Sequence, residues 1–176
     1  MLLCQELQRI GKRMICVDFD LTLIRIHTGG NWQKTAENLS KCVRPCMIQL
    51  LQESVACGLH VAIVTFSSQT SLIHEVLSLI VPEQANKIIV RALDRSWAYN
   101  GDGSHDGKLP HMASAVEEVY QNHGDLLAKK DVLLIDDDPL NVQSALNAGI
   151  TAVLCRPSEA TASIEKGIKT LVQYST

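Results

Sequence analysis

Five short apolar runs rich in valine and isoleucine recur along the chain, at residues 14–18, 61–65, 87–91, 132–136 and 151–155, and longer amphipathic segments separate them. This alternation of strand-like and helix-like segments predicts an α/β chain. The expected architecture is a Rossmann-like three-layer sandwich, a mainly parallel five-stranded sheet with helices on both faces. The spacing predicts helices over 37–57, 69–79, 109–122, 140–148 and 158–172, with Gly58, Gly124 and Gly149 standing where helices would stop.

A length of 176 residues fits one domain over 1–176, because two full domains of half that size would each be poorly buried. Hydrophobic residues make up 46% and charged residues 20%, which excludes a disordered or collagen-like chain. A net charge of −3 lacks the basic excess that phosphate neutralisation requires, so nucleic acid is not the default partner. The six cysteines lie mostly among apolar residues and read as small buried hydrophobes; Cys42 and Cys46 have no matching pair downstream for a metal. The opening MLLCQELQRIGKRM is too short and polar for a signal peptide, and no run approaches the roughly eighteen apolar residues of a membrane span. The expectation is a cytoplasmic protein without a membrane partner.

Two polar stretches read as loops, 25–35 and 94–107. The second carries Trp97 and Tyr99 and reads either as an overhang near an active-site rim or as an ordinary surface loop.

In open parallel sheets ligands bind outside the carboxyl ends of the strands, so the residues ending each run are informative. The first run leads to Asp18 and Asp20, the second to Thr65, Phe66, Ser67 and Ser68, and the fourth to Asp136, Asp137 and Asp138. Each aspartate alone reads as a helix cap or turn former. Capping does not explain their convergence on one rim, where crowded carboxylates repel one another unless a cation offsets them.

These residues resemble the haloacid dehalogenase-like superfamily over about residues 14–155. Four motifs occur in order: Asp18-Phe19-Asp20-Leu21-Thr22 after an apolar strand, Thr65 ending VAIVT, Lys108 before a helix, and Asp137 with Asn141 after LLID. Asn141 departs from the commonest pattern, which has a second acid there, and leaves open whether Asp136 or Asp138 assists a metal. Lys108 is preferred over Lys87, Lys129 and Lys130, which precede strands and so belong to the opposite rim; Arg91 is the runner-up.

The resemblance implies a magnesium-dependent phosphatase, a phosphomonoester hydrolase with an aspartyl-phosphate intermediate. Asp18 is then the nucleophile and a metal ligand. Asp20 is the acid and base, and also a metal ligand through its backbone carbonyl. Asp137 completes the protein ligands to Mg2+, with Asp136 and Asn141 as candidates to support the ion. Thr65, Ser67 and Lys108 would hold the substrate phosphate. The short spacings leave no room for a large cap domain and resemble the capless, magnesium-dependent phosphatase-like members. The implied substrate is a phosphorylated small molecule or a phosphoprotein, with a homo-oligomer or the loop carrying His27, Gly29, Gly30 and Trp32 as ways to enclose the site. Trp32 reads equally as a lid and as plain packing. Two other readings stand beside this one: a catalytically silent scaffold that keeps the fold, and a receiver-like phosphorylation switch.

Overall fold

The computed structural model of the chain describes residues 2–99 and 105–174. Among these residues the elements run α1 (Leu2–Arg9), β1 (Met14–Val17), α2 (Ala36–Ser40), α3 (Pro45–Ala56), β2 (His60–Val64), α4 (Thr70–Ile80), β3 (Ile88–Arg91), α5 (Leu109–His123), β4 (Val132–Asp136), α6 (Pro139–Asn147), β5 (Thr151–Leu154) and α7 (Ala160–Tyr174). The strands pair in parallel in the order β3-β2-β1-β4-β5. Chain order moves outward from β1 in both directions, so a crevice opens between the carboxyl ends of β1 and β4. The register sets Val17 opposite Ile63 and Ile135. One residue further on, Asp18 therefore emerges beside Asp136.

Successive strand residues face opposite sides of the sheet, and each side has its own core. Ile15, Val17, Ile63 and Ile135 pack under α1, α3, α4 and α7, which contribute Leu7, Leu51, Ile73 and Ile168. On the other side Cys16, Ala62, Val64 and Leu134 meet Met112, Ala115 and Val119 of α5 and Ala145 of α6. Gly167 lets α7 lie close on β5: a Cβ there would sit 2.5 Å from a Val153 methyl.

The α/β sandwich and all five strands agree with the sequence pattern, with ends shifted by a residue or so. Two features differ. The N-terminal segment forms α1, burying Cys4 and Leu7 one helical turn apart. The helix expected over 37–57 is broken into α2 and α3. Proline has no N–H to donate and disfavours helical backbone in the residue before it. Accordingly Arg44 is extended (φ −76°, ψ 129°) and Pro45 opens α3, while Val43 bridges antiparallel to Ile24. No helix of the described residues is long and apolar enough to cross a membrane.

Candidate active site at the carboxyl ends of β1, β2 and β4

The Asp18 N–H donates to the Ile135 carbonyl at 2.9 Å, extending the β1–β4 ladder by one step. The chain then enters a single wide turn, Phe19–Leu23, in which Asp20 is extended and Leu21 adopts φ 59°. A left-handed leucine is sterically costly and persists only where its surroundings enforce it. Here the Leu21 N–H donates to Ile26 O at 3.1 Å. The Arg44 guanidinium donates to the carbonyls of Thr22 and Leu21 at 3.1 and 3.0 Å, and Phe19 and Leu23 anchor the turn in the core. The extended Arg44 that Pro45 requires is thus also the residue that clamps the turn just after Asp20.

Asp18 is buried and its Oδ1 lies 2.8 Å from Lys108 Nζ. Lys108 reaches it from the residue before α5, also buried, with its ammonium 4.1 Å from the centre of the Phe66 ring. Gly107 makes that approach feasible. Its φ is +51°, and a Cβ would come within 2.9 Å of Asn141 Oδ1. Asn141 in turn donates from Nδ2 to both carboxylate oxygens of buried Asp136 at 3.1 Å, and the Asp138 N–H adds a bond to Asp136 at 2.9 Å.

One carboxylate oxygen from each of Asp18, Asp136 and Asp137 lies within 4.8 Å of the others. Asp137 also accepts from the Thr22 hydroxyl at 3.1 Å. Asp138 turns away to cap α6 through the Leu140 N–H. Of the two residues flanking Asp137, Asp136 therefore joins the cluster. Burial pushes Asp18 up to about 7, opposed by Lys108 and reinforced by Asp136. Burial likewise raises Asp136, against Lys108, and Asp137, against the Thr22 bond. Three carboxylates held against their preference for water and facing one ammonium are relieved either by taking up a proton or by further positive charge.

Thr65 and Ser67 are both buried beside this cluster. The Thr65 hydroxyl accepts from the Ser67 N–H at 3.1 Å, which leaves its own hydrogen to donate to a ligand. The Asp20 carboxylate points elsewhere: it accepts from the Thr28 N–H and hydroxyl, both at 3.0 Å. The loop bearing Thr28 is tied down by Gln69, whose amide bonds the Trp32 N–H and C=O at 2.6 and 3.1 Å. Trp32 itself is half-buried against the core, with its indole N–H on Thr35 O. Arg91 bonds Ser114 and Glu118 on α5 instead of the aspartates.

A cleft of about 570 Å³ opens at these groups, lined also by His27, Gly29, Gly30, Phe66 and Pro139. Behind Phe66 the fully buried His111 ring is packed by Phe66, Trp97 and Tyr99, with centroids 5.0, 4.9 and 5.4 Å away. Burial, then the Lys108 charge, lowers His111 to about 4, so it is neutral. The first part of the 94–107 loop thus packs behind the site through Trp97 and Tyr99, and residues 100–104 lie outside the described ones. Thr28, Arg44, Gly107 and His111 were not legible as site residues. Thr28 and Arg44 act through contacts with a turn 8 to 23 residues away in sequence, which leave no local pattern.

No protein-family model matches the sequence, and no curated protein does. Solved structures do match. The HAD domain of effector protein Lem4 from Legionella pneumophila aligns with a TM-score of 0.55 and 15% identity, over 94% of this chain and 97% of that one. A hypothetical protein from Xanthomonas campestris gives 0.54 at 19% identity, over 98% and 86%. An uncharacterized protein from Corynebacterium glutamicum gives 0.52 at 19% identity, over 90% and 96%. At such identities the likeness concerns the fold: the chain has the Rossmann-like fold of HAD domains.

Proposed function

We propose that the protein is a magnesium-dependent phosphomonoester hydrolase that forms an aspartyl phosphate on Asp18. The observation that carries this reading is the buried Asp18–Lys108 pair at 2.8 Å, set among the clustered carboxylates of Asp136 and Asp137 at the β1/β4 crevice. An all-oxygen donor set with unoffset negative charge suits a hard divalent cation. Asp18 and Asp137 would hold it with the Asp20 carbonyl, while Asn141 fixes Asp136 beside them. Bound there, the ion would neutralise charge on the phosphoryl oxygens.

The chain's own groups divide the remaining work. An Asp18 carboxylate oxygen attacks phosphorus, and the leaving alcohol departs with a proton from Asp20. Asp20 then takes a proton from the water that hydrolyses the acyl phosphate. The Thr65 hydroxyl donates to a phosphoryl oxygen and Lys108 offsets charge on nucleophile and phosphate together; Ser67 shapes the same pocket. The connection from β1 to β2 holds only α2 and α3, and that from β2 to β3 only α4 and a short turn. These short connections support a site without a large cap, open to a phosphorylated metabolite or a phosphoprotein.

The test is turnover of a generic aryl phosphate with and without Mg2+; a wild type inactive with Mg2+ across a broad phosphoester panel refutes the reading. Calorimetry should show Asp137→Ala weakening Mg2+ binding by more than about 100-fold, beyond the loss typical of a mere supporting group. Undiminished binding would transfer the ligand role to Asp136.

Thr28 holds Asp20 through its N–H and its hydroxyl, and Thr28→Val, which removes the second bond, should lower kcat by about 10-fold by misplacing the proton donor. Mg2+ affinity should stay unchanged, and Thr28→Ser should restore the rate. Full activity in the valine variant would show that Asp20 is oriented without the Thr28 hydroxyl.

A further inference from the structure

On the side of the sheet covered by α1 and α3, two thiols meet that are 53 residues apart in sequence. Cys4 of α1 faces Cys57, the residue that ends α3, with their sulfurs 2.7 Å apart. The contact belongs to a fixed interface. Leu7, one turn along α1, is fully buried in the core that also contains Leu51 of α3, and the Gln8 side-chain amide donates to the Cys57 carbonyl at 2.5 Å. The carbon frames that carry the two sulfurs are therefore positioned by packing that does not depend on the thiols. A disulfide requires about 2.05 Å between sulfurs, and at 2.7 Å the two thiols are already in direct contact.

The two thiols differ in access. Cys4 is fully buried, and burial followed by its contact with Cys57 pushes it up to about 11. Cys57 is half-buried at a helix end and reachable from solvent. An oxidant would therefore meet Cys57 first, while Cys4 lies in place to complete the exchange.

We infer that Cys4 and Cys57 are a modification site at which a low-molecular-weight disulfide installs an intramolecular cross-link, stapling α1 to the end of α3. With glutathione disulfide the Cys57 thiolate attacks one sulfur, forming a mixed disulfide and expelling one glutathione thiolate. The Cys4 thiolate then attacks the Cys57 sulfur, and the second glutathione leaves. Both protein thiols lose their protons to solvent, two electrons pass to the reagent, and one disulfide becomes two thiols. This proposal is independent of the phosphatase reading, because α1 and the end of α3 lie before the amino ends of β1 and β2, on the rim opposite Asp18.

The full chain, incubated with glutathione disulfide, should lose two of its six alkylatable thiols, with peptide mapping placing the bond between Cys4 and Cys57. Closing a loop of 53 residues should raise Tm by about 5–10 °C relative to the reduced protein. Cys57→Ser should remove both effects. Cys4→Ser should leave glutathione stranded on Cys57, and because its hydroxyl would be buried, the Cys57→Ser result stands as the independent check. A wild type that retains glutathione on Cys57, a cross-link mapping to any other pair of cysteines, or a cross-linked form that melts no higher than the reduced one would each overturn the inference.

Discussion

Asp18→Asn should abolish phosphomonoester turnover, by at least ~10³-fold, since an amide cannot form the acyl phosphate, and should at the same time stabilise the metal-free protein. The second effect follows from the charge balance at β1 and β4. Removing one of three clustered carboxylates leaves Lys108 still facing Asp136 and Asp137, with less mutual repulsion. Burial holds Asp18 up to about 7 in the fold, against about 3.9 in an unfolded chain. A raised acid binds its proton more tightly when folded. Its contribution is complete below about pH 3.9 and is lost as pH rises through about 7.

The metal-free wild type should therefore lose about 2–4 kcal/mol between pH 5 and 8. The asparagine variant should lack that component of the decline. Added Mg2+ should recover stability at pH 8 in the wild type by offsetting the same charge. Thermal melts at both pH values, with and without Mg2+, check all of this. A variant that melts below the wild type at pH 8 without metal would show that Asp18 is better compensated than its environment indicates, and retained turnover would remove it as nucleophile.

Lys108→Met is the second large effect, and it should separate metal binding from catalysis. The methionine fills a similar volume but leaves the three carboxylates with no ammonium beside them. Breaking a buried pair from one side costs about 3–5 kcal/mol, and here the cost should appear at pH 8 and shrink as the acids protonate towards pH 5. Turnover should fall by ~10²–10³-fold, the scale expected for losing one charge-stabilising donor. Mg2+ should nonetheless bind more tightly, because a neighbouring positive charge has gone. Weaker Mg2+ binding would mean that Lys108 builds the site and does not merely balance it. Activity within twofold of wild type would move its catalytic role elsewhere, although Arg91 is committed to Glu118 and Ser114.

The parts of the site that end strands were legible, because an apolar run followed by an acid marks both the strand and its exit. Asp18, Thr65, Asp136 and Asp137 needed only the inference that the strands are parallel. Lys108 was legible through the resemblance, as a lysine just before a helix, with Lys87, Lys129 and Lys130 set aside because they precede strands. The break at Arg44 was missed by reading the 37–57 segment as one amphipathic run, although Pro45 carried the local signal. Helix α1 went unassigned because eight residues give a short period to read. Thr28 on Asp20 and Cys4 on Cys57 are different in kind. These are encounters between distant segments, and their partners become identifiable only when the turn after β1 and the placement of α1 are known.

The position of β1 in the middle of the sheet has an evolutionary consequence. Its backbone is bonded to neighbours on both sides, and Asp18 continues that ladder. Two flanking strands hold this ladder, so loops at the rim can lengthen, shorten or change composition while the backbone of Asp18 stays in register. On the proposed reading, substrate preference could drift through the rim loops while the reacting carboxylate stays anchored in the middle of the sheet.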